Sequence, residues 1–265
     1  MQLYNDENLR FNKPHFPSSV GETAGSSPSR MLTLGDEGSL NTFPTQKCAF
    51  KQGDYSIGVA VSPRRRSLVN KLIKSMYSWR GYHTENTGTS HNPNRLTLEA
   101  SSGQHLAGTL TLGLDSKDGL LVDKLYEEEI KILRMRGRNI CELSKLAIDP
   151  LHSSKELLAS LFNLAYIYGR IVHKASDFVI EVNPRHTGYY KRLLGFRQIG
   201  EMRTCQRVNA PAVLMHLELD YVDAQVSCLA GSRDPKQRSL YAYFLAKPEE
   251  HRVANTLKRH SPAAH

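Results

Sequence analysis

The sequence predicts an α/β (α+β) domain built on one central mixed sheet flanked by helices. Three observations carry that expectation. Segments of strand length alternate with amphipathic segments of helical period along residues 55–222. Two adjacent apolar runs are joined by a four-residue polar link, the mark of a hairpin. A later strand-length run is almost continuously apolar, as a strand buried on both faces must be.

The elements follow in order. SIGVAV (56–61) alternates as a strand. In RRRSLVNKLIKSMYSWRGY (64–82), Leu68, Leu72, Ile73, Met76 and Trp79 recur at helical spacing, giving a helix with a basic outer face. HTENTGTSHNPN (83–94) is polar and reads as a loop. RLTLEA (95–100) and HLAGTLTLGL (105–114) form the hairpin across SSGQ. LLVDKLYEEEIKILRMRG (120–137) is a helix stopped by Gly137. NICELSKLAIDP (139–150) is a strand closed by Asp-Pro, and residues 153–175 form the longest helix, capped by Ser153 or Ser154. DFVIEVN (177–183) is the buried strand, and PRHTGYYKRLLGF (184–196) a helix opened by Pro184. Residues 197–208 and 212–222 are two further strands.

Residues 1–54, rich in Ser, Gly, Pro, Thr and Asn, read as a disordered or weakly ordered N-terminal tail. Residues 55–222 form the domain, and 223–265 a partly helical C-terminal extension. The chain has 265 residues and a formal net charge of +9. The excess lies in residues 55–221, with 23 basic against 16 acidic side chains, and in 222–265, with seven against four. No apolar run is long enough for a transmembrane helix, and the N-terminus has no secretory h-region. Four widely spaced cysteines without a CxxC pair argue for a reducing, cytoplasmic setting and against a structural zinc. Net charge alone is the one argument for nucleic acid. The tyrosines at 166, 168, 189 and 190 fall in helices rather than on a basic strand platform, so no nucleic-acid partner is expected.

Two segments point to chemistry. A strand running into the Ser153-Ser154-Lys155 helix start offers free backbone N–H groups and a positive dipole end to a phosphate. Lys155 opposes that dipole unless an anion is present, although an ordinary capped helix reads the same way locally. The second segment, EVNPRHTGYYKRLLGF, resembles the late core of GNAT-type N-acyltransferases; its plain alternative is a βα unit with a Gly cap. RGYHTE, NRLTLEA, LRMRGRNICELSKLAIDP, SKELLASLFNLAYIYGRIVH, DFVIEVNPRHTGYYKRLLGF and GEMRTCQRVNAPAVLMHLELDY, taken together over residues 64–222, resemble the FeeM-type long-chain N-acyl amino acid synthases.

The resemblance implies a GNAT-like acyltransferase fold with a mostly antiparallel sheet, related to acyl-homoserine-lactone synthases. It implies transfer of a long-chain acyl group from the phosphopantetheine thioester of an acyl carrier protein, or from acyl-CoA, to the α-amine of an amino acid. No tightly bound cofactor and no metal are implied. Glu142 in ELSK stands where the related lactone synthases carry a base, with Lys145 in place of their Arg; an outward-facing strand carboxylate is the alternative. Backbone N–H groups at Leu146 and Ala147 would hold the oxyanion, and Ser153, Ser154 and Lys155 the phosphate of the arm. Asn183 and Tyr190 resemble the pair that contacts pantetheine and protonates the leaving thiolate, against a packed tyrosine. Arg80 and Tyr82 would hold the acceptor's carboxylate.

Glu181, on the buried strand, either faces the cleft or pairs with an arginine such as Arg185 or Arg207. Leu158, Leu161, Phe162, Ala165, Ile167, Met215 and Leu217 are candidates for an acyl tunnel or simply for core. Arg64–Arg66 and Arg134, Arg136 and Arg138 would present a basic docking face to an acidic carrier protein. A lactone synthase is the competing enzyme, although its paired-aspartate segment is replaced here by HTENTGTSHNPN. A binding module for acyl carrier protein or acyl lipid is the non-enzymatic alternative.

Overall fold

A computed structural model describes residues 48–82 and 92–260. Among the described residues nine strands form in chain order: β1 (Cys48–Gln52), β2 (Tyr55–Val59), β3 (Arg95–Ser102), β4 (His105–Leu114), β5 (Ile140–Ile148), β6 (Asp177–Val182), β7 (Arg197–Gln198), β8 (Arg203–Cys205) and β9 (Ala210–Glu218). The helices are α1 (Pro63–Trp79), α2 (Asp123–Met135), α3 (Lys155–Tyr166), α4 (Thr187–Leu194), α5 (Leu219–Leu229) and α6 (Lys247–His260). The sheet runs β1-β2-β3-β4-β5-β6-β9-β7, with β8 on β9. Among the described residues only β5 and β6 pair in parallel; the other pairings are antiparallel. The mixed, mostly antiparallel sheet flanked by helices is therefore as expected.

Local chemistry explains the boundaries. Ser62 caps α1 through the Arg65 amide, with Pro63 in the first turn. Of the two serines expected at the long helix, Ser154 is the cap, accepting from the Leu157 amide. That helix continues from α3 through a wider π-type turn, Ile167–Val172. Gly195 closes α4 at φ +82, a left-handed position where a Cβ would also collide with the Tyr221 ring.

The sheet has a helix layer on each face. Leu157, Leu161 and Leu164 of α3 are fully buried against Leu98, Leu110 and Leu143 in the main core. Each such leucine contributes roughly 2 kcal/mol by burial. On the opposite face, α2 packs Tyr126, Ile130 and Leu133 with Ile140, Val179 and Leu214. There α1 covers Ala147 with Val69, Leu72 and Ile73.

Three expectations are corrected. The tail reading of 1–54 fails at its end, because Cys48–Gln52 is an edge strand and buried Gln52 donates to the Tyr243 carbonyl at 2.7 Å; residues 1–47 lie outside the described residues, as does most of the loop expected at 83–94. The strand expected over 212–222 ends at Glu218, where the chain turns into α5. The domain does not end at residue 222: Leu240, Tyr241, Phe244, Val253, Ala254 and Leu257 of the partly helical extension belong to the main core. Val222 and Val226 bury one face of α5, which alternating-strand reading cannot distinguish over so short a run.

Candidate active site

The site originates in an irregularity of β5. Between β4 and β5 the register slips, with Thr111 opposite Ser144 but Thr109 opposite Ala147. The extra residue is a β-bulge, and Lys145 within it sits at φ +53. β5 and β6 pair from Ile140↔Asp177 to Leu143↔Ile180 and no further. Beyond that point the strands part, and a cleft of about 1240 Å³ opens between them. Its walls combine Glu142 and Ser144 on the α1/α2 face with Leu110, Leu143, Ile148 and Phe162 on the α3 face. The cleft thus passes through the sheet.

Glu142 is buried, not outward-facing, at 2% exposure. Its Oε2 accepts the Leu121 amide at 2.6 Å. Burial pushes its carboxyl up to about 7, against the pull of Arg207, the Leu121 N–H and Arg95. Lys145 moves the other way. Burial, with repulsion from Arg95 and Arg207, lowers it to about 8. Glu181 pairs with Arg207 at 2.7 Å, one of the two partners expected for it.

Tyr190 lines the cleft, its ring edge-to-face with Phe162, Tyr189 and Phe196. Burial raises its phenol, which keeps it protonated. The end of α1 meets the start of the α4 region where Arg185 donates to the Tyr82 hydroxyl at 2.8 Å. Arg80 stands there too, its guanidinium lowered first by burial. Beside them, burial and then Arg185 and Arg80 depress His186 to about 4, so its imidazole is neutral.

Of the expected site residues, the cleft gathers Glu142, Lys145, Leu146, Asn183, Tyr190, Arg80 and Tyr82. Ala147, Ser153, Ser154 and Lys155 are not among its lining residues. Ala147 lies beneath α1, and the Ser154 hydroxyl is engaged as a helix cap. Among the tunnel candidates only Phe162 reaches the cleft; Leu158, Leu161, Ala165, Ile167, Met215 and Leu217 are packed core. The long helix is apolar nearly all round, so periodicity could not separate a lining side chain from a packing one. Sequence reasoning missed Tyr77, Arg95, Leu121 and Ser144 as cleft residues; Leu121 acts through a backbone amide, which carries no residue signal.

The parallel strand pair splits at a bulge, with the buried Glu142 carboxylate in the opening, in a GNAT-like fold. The family description "N-acyl amino acid synthase FeeM" matches residues 69–218, and the chain belongs to that family. The solved structure of FeeM, an N-acyl amino acid synthase from uncultured soil microbes, superposes with a TM-score of 0.58 at 28% identity, over 63% of this chain and 92% of that one. An acyl-CoA N-acyltransferase from Pseudomonas aeruginosa gives 0.45 at 13% identity, over 62% and 97%. No curated protein matches the chain. Among the described residues no helix is long and apolar enough to cross a membrane.

Proposed function

We propose that this N-acyltransferase moves a long-chain acyl group from the phosphopantetheine thioester of an acyl carrier protein to the α-amine of an amino acid by direct aminolysis. The observation that carries the reading is the buried Glu142 carboxylate, held near pKa 7 on the wall of a cleft that passes through the split sheet. A base poised near neutral pH is what deprotonation of an ammonium nucleophile needs.

Glu142 takes a proton from the amine, directly or through one water. The neutral amine attacks the thioester carbonyl, and the negative charge that develops on oxygen faces the backbone N–H groups of the Leu146–Ala147 segment beyond the bulge. The tetrahedral intermediate collapses by breaking the C–S bond. Tyr190, held protonated by burial until this step, gives its proton to the departing sulfur and regains one as the new amide nitrogen sheds its second proton. Arg80 and Tyr82 hold the acceptor carboxylate, and Lys145 adds positive charge beside Glu142. The apolar wall of Leu110, Leu143, Leu146, Ile148 and Phe162 receives the acyl chain. Asn183 lies along the arm, and the Ser153–Lys155 turn at the start of α3 receives its phosphate.

The test is incubation of the purified protein with carrier-protein thioesters of several chain lengths and all twenty amino acids, with products read by mass. The reading expects an N-acyl amino acid. An acyl lactone in the lipid extract of an expressing host moves the chain to the lactone synthases, and absence of any acylated amine with any donor makes it a binding module.

A further inference from the structure

The basic docking face expected from the sequence is largely engaged internally. Arg65 pairs with Glu99 and also donates to Ser101. Arg134 bridges Asp115 and Asp123. Arg138 grips Asp177 with two nitrogens. These arginines hold the fold together and are not offered to a partner.

A different surface remains cationic. Residues 182–200 contain no Asp or Glu, yet carry Arg185, Lys191, Arg192 and Arg197. Arg197 is paired with Glu218. Leu193 and Leu194 of α4 face the core, and Tyr189 and Tyr190 line the cleft. Arg185 lines the cleft and is engaged with Tyr82, which leaves Lys191 and Arg192 exposed with no carboxylate partner among the described residues. Arg238 extends the patch: it is exposed, and its neighbour Ser239 donates to the Leu193 carbonyl at 3.3 Å.

Position distinguishes this patch from the other acid-poor helix, α1. α4 follows β6 directly at the point where the strands part, and Tyr190 packs on Phe162 of α3. It therefore flanks the side of the cleft assigned to the acyl arm. α1 lies on the opposite face, and its end carries the residues assigned to the acceptor.

We propose that the outer face of α4, formed by Lys191 and Arg192 and extended by Arg238, is the surface on which an acidic acyl carrier protein docks to deliver its arm into the cleft. This rests on the carrier-protein reading of the donor. Complementary charge on this face steers encounter and fixes the partner's orientation, so its contribution appears in donor KM and weakens with salt.

The experiment compares the native enzyme with Lys191→Glu/Arg192→Glu and with Lys71→Glu/Lys74→Glu on exposed α1. Each is assayed with an acyl carrier-protein thioester and with the same acyl group on free pantetheine. The α4 variant should raise KM for the carrier-protein donor at least about tenfold at low salt, with its salt dependence reduced. Its rate with acyl-pantetheine should be unchanged, which also shows that it is folded. The α1 variant should behave as the native enzyme. An unchanged carrier-protein KM for the α4 variant, or equal losses with both donors, overturns the docking surface alone. A rise confined to the α1 variant does the same. A native enzyme idle with carrier-protein thioesters but active with acyl-CoA overturns the donor reading and the docking surface together.

Discussion

The Leu121 backbone amide donates to Oε2 of Glu142 at 2.6 Å, tying the β5 carboxylate to the turn that precedes α2. That turn is itself braced. The Leu120 amide donates to Asp123 Oδ2 at 2.7 Å, and Arg134 bridges Asp123 and Asp115. The N–H favours the charged carboxylate, while burial favours the neutral one. Glu142 near pKa 7 is the outcome of that contest.

Glu142→Gln keeps the shape and the Leu121 contact but cannot take a proton. We expect kcat/KM to fall by about 10²–10⁴-fold, the usual range for loss of a general base, with donor KM little changed. Steady-state kinetics with a thioester donor check this. The stability effect runs the other way. A carboxyl raised on folding contributes stability below its unfolded pKa, and that contribution is lost as pH rises through about 7. The Gln variant should therefore unfold at higher denaturant than the native enzyme at pH 8.5.

The acid limb of the native rate profile should lie near pH 7, set by Glu142. Lys145, lowered to about 8 by burial and by Arg95 and Arg207, should set an alkaline limb if its charge assists the reaction. Lys145→Arg keeps the charge at all assay pH values and should remove that limb. An alkaline limb unmoved in the Arg variant contradicts the role given to Lys145.

Arg134→Gln, which leaves Asp115 and Asp123 without their bridge, should loosen the 115–121 turn and weaken the Leu121 contact. Without that donor the Glu142 pKa rises. The acid limb should shift upward while kcat at its new plateau stays within about threefold. A drop in activity with no shift of the limb would assign Arg134 a purely structural role.

Asp177 anchors the far end of β6. Burial pushes its carboxyl up, but hydrogen bonds from His216, Arg138 and Ser176 outweigh this and hold it at about 2. Its contribution to stability is complete above the unfolded value near 3.8 and is lost as pH falls through about 2. Asp177→Asn leaves Arg138 without its charge partner and weakens the His216 contact, and should cost about 3–5 kcal/mol at pH 7 by chemical denaturation.

Much of the architecture was legible because it rests on periodicity and caps. The SSGQ hairpin, the Ser154 cap, Gly195 and the apolar DFVIEV strand each state their conformation locally. Glu142 was legible through its motif, and its burial follows from alternation along β5 once Cys141 and Leu143 face α3. What escaped was what depends on distant pairing. Arg134 and Arg138 look like free surface charge in the sequence, because Asp115, Asp123 and Asp177 come beside them only in the folded sheet. The C-terminal residues looked peripheral for the same reason: Tyr241 reaches the Leu194 carbonyl 47 positions away. Lys145 at positive φ gave no sign, since a bulge is a property of the strand pair and not of one residue.

The central claim is that Glu142 is the base of an aminolysis. It is tested most directly by the pH dependence of N-acyl amino acid formation under single turnover, comparing the native enzyme with Glu142→Gln. The account predicts a native rate with an acid limb near pH 7 and, in the variant, a low residual rate that lacks this limb. A variant that forms product at the native rate, with the same acid limb, would contradict it.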